Sequence, residues 1–301
     1  MPVPPPVQLT ERDYQLLVMV FAYRGLTIAV LRRRFFPTPG ARSACYARVQ
    51  RLVVGQYLTA HRLPSTSGVG SGKTFLILGP RGRSVIAKRL GCSRGELGRA
   101  SRMVTPLVVA HHLAICDDRL SLELAAERSP VLSLVDWIPE GELARAPLAV
   151  VDPVDGVTVR WVPDGAATLT LADGRRQQFL FELDRGTIPG KRLRARLRGY
   201  LLLAADRPRP VLFVVPDAAR EAAIRRWVEA EAARLGADPT IVWLTTMDQV
   251  EERTILDAPI WQVVGRSARL ALVDLASRQA GRDMPAARAG QRRGAGGGGE
   301  A

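Results

Sequence analysis

Cysteine and histidine are scarce in this sequence, with three of each among 301 residues. The cysteines, Cys45, Cys92 and Cys116, are far apart and form no CxxC pair. A structural zinc site needs four closely spaced ligands, and a disulfide scaffold needs more cysteines than these. The sequence therefore excludes both kinds of small stabilised domain.

Long hydrophobic runs are also missing. No stretch approaches the roughly 18 to 20 apolar residues that cross a bilayer. The first ten residues, MPVPPPVQLT, lack the basic and apolar regions of a signal peptide. With 47% hydrophobic residues, the sequence predicts a cytoplasmic globular protein with no membrane partner, long enough for two domains.

Acidic residues are rare in the first third of the chain only. Residues 1 to 110 contain 17 Lys or Arg and three acids, whereas the remainder contains 26 basic and 26 acidic residues. The net charge of +14 therefore lies entirely in the first third. A positive excess confined to one segment indicates a surface for a polyanion, most often nucleic acid.

Three helices are predicted in this basic third. Thr10, with Asp13 at the third helical position, is typical of a capping box, and Thr27 is placed to begin a second helix. The third, ARSACYARVQRLVVG, has an apolar stripe at helical spacing and ends at Gly55. Its polar face is typical of the recognition helix of a helix-turn-helix, which enters the DNA major groove. An ordinary three-helix bundle with a solvated face is the alternative.

The stretch GVGSGKT, residues 68 to 74, resembles a phosphate-binding loop, but the motif's first glycine is Ser67 in this sequence. The apolar run TFLILG follows and predicts a strand in place of the helix that the motif requires. QYLTAHRL, the loop and TFLILG together predict a β-hairpin, the wing of a winged helix, with no ATP bound. Lys73 would then contact a DNA phosphate. The predicted DNA contacts are Arg42, Ser43, Tyr46, Arg48, Gln50, Arg51 and Lys73.

The neutral remainder predicts a mixed α/β domain, so the fold class is α+β. A long helix over TPLVVAHHLAICDDRLSLELAAERS precedes three strands near 157–162, 167–172 and 177–183. Helix, strand, helix and strand follow, which predicts a mixed sheet with helices on its faces. The predicted domains are 8–90 for the winged helix and 104–265 for the α/β part. Residues 278–301 are of low complexity and predict a disordered tail.

Three acids in the predicted strands are candidates for chemistry. Asp164 follows a strand, and Glu182 and Asp184 are two residues apart, so they share a strand face. Like charges on one face repel, and a divalent metal, Arg185 or Lys191 would offset them. Ordinary roles remain open, because Asp164 precedes a glycine in a turn and Asp184 ends a strand.

Six stretches of the sequence, in this order, carry a resemblance to a known family: LTERDYQLL, LRRRFFPTPGARSACYARVQRLVVGQYL, AHHLAI, VPDGAATL, FLFELDRGT and VLFVVP. They resemble the replication-relaxation family of plasmids and integrative mobile elements. The resemblance runs from about residue 8 to residue 262. It implies double-stranded DNA as a partner, together with other replication or conjugation proteins, and a role in replication or relaxation of plasmid DNA.

The second half also resembles the PD-(D/E)xK nuclease core. That resemblance implies catalytic residues Asp164, Glu182, Asp184 and Lys191, with Asp164 and Glu182 holding Mg²⁺ or Mn²⁺ for DNA nicking. Asp184 stands where the family has its lysine, and Lys191 would supply the amine instead. Two functions remain open: a metal-dependent endonuclease of a mobile element, or a non-catalytic winged-helix regulator whose α/β domain binds a partner or dimerises.

Overall fold

The computed structural model describes residues 7–63, 73–93, 97, 106–153, 156–206 and 209–274. The predicted disordered tail at 278–301 lies outside these residues. The described helices are α1 (Glu11–Ala22), α2 (Ile28–Phe35), α3 (Arg42–Val54), α4 (Pro80–Leu90), α5 (Pro106–Arg128), α6 (Glu140–Leu143), α7 (Gly190–Asp206) and α8 (Ala218–Leu235). The strands are β1 (Leu26–Thr27), β2 (Leu58–Arg62), β3 (Thr74–Leu78), β4 (Leu132–Pro139), β5 (Leu148–Val151), β6 (Thr158–Trp161), β7 (Gly165–Leu171), β8 (Arg176–Leu183), β9 (Val211–Val215), β10 (Val242–Thr246), β11 (Trp261–Val263) and β12 (Arg269–Leu270).

Local signals in the sequence set the ends of the first helices. Thr10 accepts a hydrogen bond from the Asp13 amide and the Asp13 carboxylate accepts one from the Thr10 amide, so the predicted capping box of α1 is confirmed. Thr27 caps α2 by accepting from the Val30 amide. Each cap satisfies amides that would otherwise lack a partner at a helix start. The third predicted helix is present as α3, so all three helices predicted in the basic third are confirmed.

A three-stranded sheet in the order β1-β3-β2 packs beside these helices. β2 and β3 are antiparallel neighbours, from Leu58 opposite Leu78 to Arg62 opposite Thr74. The hairpin predicted from QYLTAHRL and TFLILG is confirmed in its strands, whereas its tip at 64–72 lies outside the described residues. The chain continues from Lys73 as strand β3.

The second sheet has seven strands in the order β12-β11-β10-β9-β8-β7-β4. β4, β7 and β8 are antiparallel, β8, β9 and β10 are parallel, and β11 and β12 add antiparallel strands at the far edge. One face packs against α5 and the other against α7 and α8. The predicted mixed α+β architecture, with helices on both faces of a mixed sheet, is confirmed.

The predicted meander differs from the structure in the pairing of its first strand. The strand expected at 157–162 exists as β6, but it pairs with β5 in a separate two-stranded sheet. β4 takes its place beside β7. β6 lies against α7, because the Trp161 ring packs against Tyr200 and over Gly199 in the core between that helix and the large sheet.

Helix α5 belongs to both halves of the molecule. Cys116 and Leu120 join the core formed by α1, α2 and α3, whereas Leu122 and Ala126 join the core under the seven-stranded sheet. No helix among the described residues is long and apolar enough to cross a membrane.

Candidate nucleic-acid interface and acidic cluster

Helix α3 presents a polar and basic face to solvent. Its apolar stripe is buried, since Cys45, Val49 and Leu52 are at most 1% exposed. The opposite face carries most of the predicted DNA contacts in exposed positions: Arg42, Ser43, Tyr46, Gln50 and Arg51. The Arg42 guanidinium lies 5.8 Å from the centre of the Tyr46 ring. This face therefore offers guanidinium, amide and hydroxyl groups without competing ion pairs to acids in the described part of the chain.

Arg48 lies in a different position from the other predicted contacts. Its Nε donates to Asp13 Oδ1 over 2.8 Å, and its terminal nitrogen donates to Asp13 and to the Gln8 carbonyl oxygen. Burial pushes the pKa of Asp13 up, but hydrogen bonds from Arg48 and Thr10 bring it below its usual value. The structure therefore places Arg48 between α3 and α1, where it neutralises a buried acid.

A groove runs between α3 and the hairpin. Tyr46 and Gln50 line one side, Arg62 and Lys73 line the hairpin side, and Asp117 of α5 reaches its base. Lys73 is exposed and immediately precedes β3. Strand β3 also means that no helix begins after Lys73, as a phosphate-binding loop requires.

The arginines of α2 face the second half of the protein. Arg33 lies 3.5 Å from an oxygen of Asp117 and 3.6 Å from one of Glu252, and Arg34 pairs with Glu127. These partners lie on α5 and on the segment before β11, so they compensate part of the basic excess found in the sequence. In the described part of the first third, the basic residues in no ion pair with an acid include Arg42 and Arg51 on α3, Arg62 and Lys73 of the hairpin, and Arg83 and Lys88 on α4.

Asp164 lies at the edge where β7 begins. One carboxylate oxygen accepts a hydrogen bond from the Leu183 amide over 2.8 Å, and the other is 3.1 Å from Nε2 of His111 on α5. Burial alone would lower the pKa of His111, but the hydrogen bond to Asp164 and its charge raise that pKa above the usual value. The next residue, Gly165, lies against the Trp137 ring, where a Cβ would come within 2.5 Å of the ring.

Glu182 is buried inside β8 and faces α7. Its Oε2 accepts from Arg196 over 2.7 Å, and its Oε1 accepts from the hydroxyl of Tyr200. Burial raises the pKa of Glu182 to about 8, and the negative charge of Asp164 adds to that rise, against the attraction of Arg196. Both oxygens of this carboxyl group thus face donors from one helix.

Asp184 points to the same side of the strand as Glu182, while Phe181 and Leu183 pack in the core beneath α5. Its carboxylate accepts from Arg220 of α8 over 2.6 Å and from the Gly186 amide. Lys191 is exposed in the first turn of α7. No hydrogen bond or ion pair within the described ranges joins Lys191 to these acids.

A basic partner is present at the six least exposed acids in the described ranges; Asp118 of α5, whose buried Oδ2 has no hydrogen-bond partner, is not among them. Each of the six lies within 4 Å of a basic side chain, in the pairs Asp13–Arg48, Asp152–Arg198, Asp164–His111, Glu182–Arg196, Asp184–Arg220 and Glu221–Arg269. A buried carboxylate without a partner is costly, so such pairing is the expected structural solution. Arg196, Arg220 and His111 were not among the site residues identified from the sequence.

The donor set at Asp164 and Glu182 does not fit a divalent cation. Mg²⁺ binds carboxylate and water oxygens with nearly octahedral geometry, but the four oxygens of these two groups all accept hydrogen bonds from the chain itself or face His111. No group of three His, Cys, Asp or Glu side chains suited to a metal occurs among the described residues.

Comparison with known proteins gives one result. Residues 17–211, well over half of the chain, match the model of a family described as replication-relaxation. The matched segment contains α3, the hairpin strands and the acids Asp164, Glu182 and Asp184. Neither a curated protein nor a solved structure matches the sequence.

Proposed function

The chain belongs to the replication-relaxation family, and we propose that it is a DNA-binding protein acting in replication or relaxation of plasmid or integrative mobile-element DNA. Family membership supports the biological context. The exposed face of α3 is the observation that supports DNA binding, because it is the part of the described surface where arginine, amide and hydroxyl side chains lie together beside a β-hairpin.

The first domain, residues 8–90, acts in this proposal as a winged helix. The order α1, β1, α2, α3, β2, β3 supports that assignment, as does the sheet order β1-β3-β2. Helix α3 would lie in the major groove, where Gln50 and Arg51 contact base edges. Arg42 and Lys73 would contact phosphates on either side and set the register.

The second domain, residues 104–265, acts as a scaffold that resembles the PD-(D/E)xK core. A helix, three antiparallel strands, a second helix and a parallel strand occur in the order α5, β4, β7, β8, α7 and β9, with α6, β5 and β6 inserted between β4 and β7. This order supports the resemblance. In this proposal the domain carries contacts to other replication or conjugation proteins, and α5 connects it firmly to the winged helix.

Footprinting of the full-length protein on DNA of the element that carries its gene tests the proposal. We expect a short protected site whose affinity falls steeply as salt rises, since each phosphate contact releases counterions. Gln50→Ala should weaken binding to that site by about 1 to 3 kcal/mol and relax its base preference. Protection without any sequence preference, or no binding at low salt, would contradict the proposal.

Within this proposal, two molecular activities are to be distinguished: transcriptional regulation and metal-dependent nicking of DNA. A transcriptional regulator is favoured by the ion pairs that occupy Asp164 and Glu182, and it predicts that the protected site overlaps the element's own promoter. Metal-dependent nicking is favoured only by the position of Asp164, immediately before β7, and of Glu182 on the neighbouring strand β8. Conversion of supercoiled plasmid to the nicked form would decide for nicking, provided that EDTA prevents the conversion and the Asp164→Ala/Glu182→Ala variant does not catalyse it.

A further inference from the structure

We infer that Arg196 and His111 occupy the place of a divalent cation in the acidic cluster, so that Asp164 and Glu182 form a closed, metal-free structural site. This inference concerns the second domain alone and holds whether or not the first domain binds DNA. It assigns to Arg196 the role of an internal counter-ion, which neither the family match nor the sequence motifs indicate.

The geometry around Glu182 is the first argument. The carboxyl group is 2% exposed, and its two oxygens accept from Arg196 and Tyr200, which lie one helical turn apart on α7. A planar guanidinium carries a permanent charge and directs its donors in fixed directions. A metal ion would have to displace Arg196 and leave that charge beside a buried surface, which is unfavourable.

Asp164 supplies the second argument. One of its oxygens is held by the Leu183 amide at 2.8 Å and the other lies against His111 at 3.1 Å. The residue is 8% exposed, so little water reaches the carboxylate to complete a coordination shell. His111 lies on α5, a helix that packs in both cores.

Charge balance is the third argument. Asp184, at the position where the nuclease family has its lysine, also has its own arginine, Arg220 of α8. Each acid on this edge of the sheet is therefore matched by a basic side chain from a different helix. A divalent cation held by Asp164 and Glu182 would lie beside the permanent positive charge of Arg196.

Thermal unfolding of the full-length protein, with 5 mM EDTA or about 1 mM free Mn²⁺, provides the test. The variants are Arg196→Met, Arg196→Met/Glu182→Gln, and Arg192→Met as a matched control, because Arg192 is exposed on the same helix. We expect Arg196→Met to lower Tm by roughly 4 to 12 °C, since the Arg196 side chain is 27% exposed and water relieves part of the loss. The double variant should recover much of that loss, and Arg192→Met should leave Tm within about 1 °C.

Manganese should not raise the Tm of the wild-type protein, whereas it should raise that of Arg196→Met, in which Glu182 lacks its counter-ion. A direct measurement on the wild-type protein covers the case in which Arg196→Met does not fold: the electron paramagnetic resonance signal of free Mn²⁺ should be equal for wild type and Glu182→Gln. Manganese binding or stabilisation in wild type that is lost in Glu182→Gln would overturn the inference. An Arg196→Met variant as stable as wild type would overturn it as well.

Discussion

Arg48 and Arg51 stand three residues apart on α3, and the structure predicts opposite consequences for the same substitution. Arg48→Ala removes the partner of Asp13, which is 2% exposed and also caps α1. Arg51→Ala removes an exposed side chain with no acidic partner among the described residues. The first change should therefore act on folding and the second on DNA binding.

The magnitude for Arg48→Ala comes from its environment. Removing one member of a buried ion pair costs about 3 to 5 kcal/mol, but the Arg48 side chain is 21% exposed and water relieves part of that loss. We expect a destabilisation of about 2 to 3 kcal/mol, which lowers Tm by roughly 5 to 12 °C. Arg51→Ala should change stability by less than about 0.5 kcal/mol and raise Kd for the specific site roughly 5- to 150-fold.

Both variants need two measurements, a thermal melt and a titration of labelled duplex at a temperature where each is folded. Arg48→Ala should melt early and, when folded, bind DNA within about threefold of wild type, because the Arg48 guanidinium is already bound by Asp13 and by the Gln8 carbonyl. A variant that melts like wild type but binds DNA much more weakly would refute the assignment of Arg48 to Asp13.

Three further predictions concern the rest of the chain. The folded-state pKa of Glu182 is raised to about 8. Its protonated form therefore stabilises the fold at low pH, and that contribution is lost as the pH rises from about 4.5 to 8. In denaturant titrations over this range, the free energy of unfolding of the wild-type protein should fall relative to that of Glu182→Gln. Gly199→Ala places a Cβ 2.7 Å from the Trp161 ring and should destabilise the protein by about 1 to 3 kcal/mol, despite the better helix propensity of alanine. Gly190→Ala, where the nearest atom is 3.4 Å away, is the control in the same thermal melt. Arg33→Ala should lower Tm but leave Kd for DNA unchanged in the duplex titration, because its partners lie on the second domain; a weaker Kd without a change in Tm would show that Arg33 faces DNA.

Local signals made the first domain predictable. Thr10, Asp13 and Thr27 act within a single helical turn, so their caps can be recognised without knowledge of the fold. The alternation in QYLTAHRL and TFLILG likewise indicates two strands, and their short separation indicates that they pair. These patterns give the elements and their order, which is why the helices and the hairpin were found.

Long-range pairing was not predictable in the same way. Nothing in TVRW indicates that β6 pairs with β5, or that β4 fills its place beside β7, since both strands have suitable composition. The partner of Arg48 lies 35 residues earlier, and Arg196 reaches Glu182 from the following helix. A helical projection shows only which residues share a face, so it placed Arg48 near the DNA surface. For the acids, the sequence suggested the nearby Arg185 or Lys191 in place of the observed partners Arg196 and Arg220.

The measurement that tests the central claim most directly compares equal losses of charge on the two domains. Arg42→Ala/Arg51→Ala removes two arginines from the exposed face of α3, and Arg225→Ala/Arg226→Ala removes two from the exposed face of α8. Fluorescence anisotropy with a labelled duplex at several salt concentrations gives Kd and its salt dependence for each. We predict that the α3 variant loses on the order of tenfold or more in affinity and has a shallower salt dependence, while the α8 variant stays within about twofold of wild type. Equal losses in the two variants, or a larger loss in the α8 variant, would contradict the assignment of DNA binding to the face of α3.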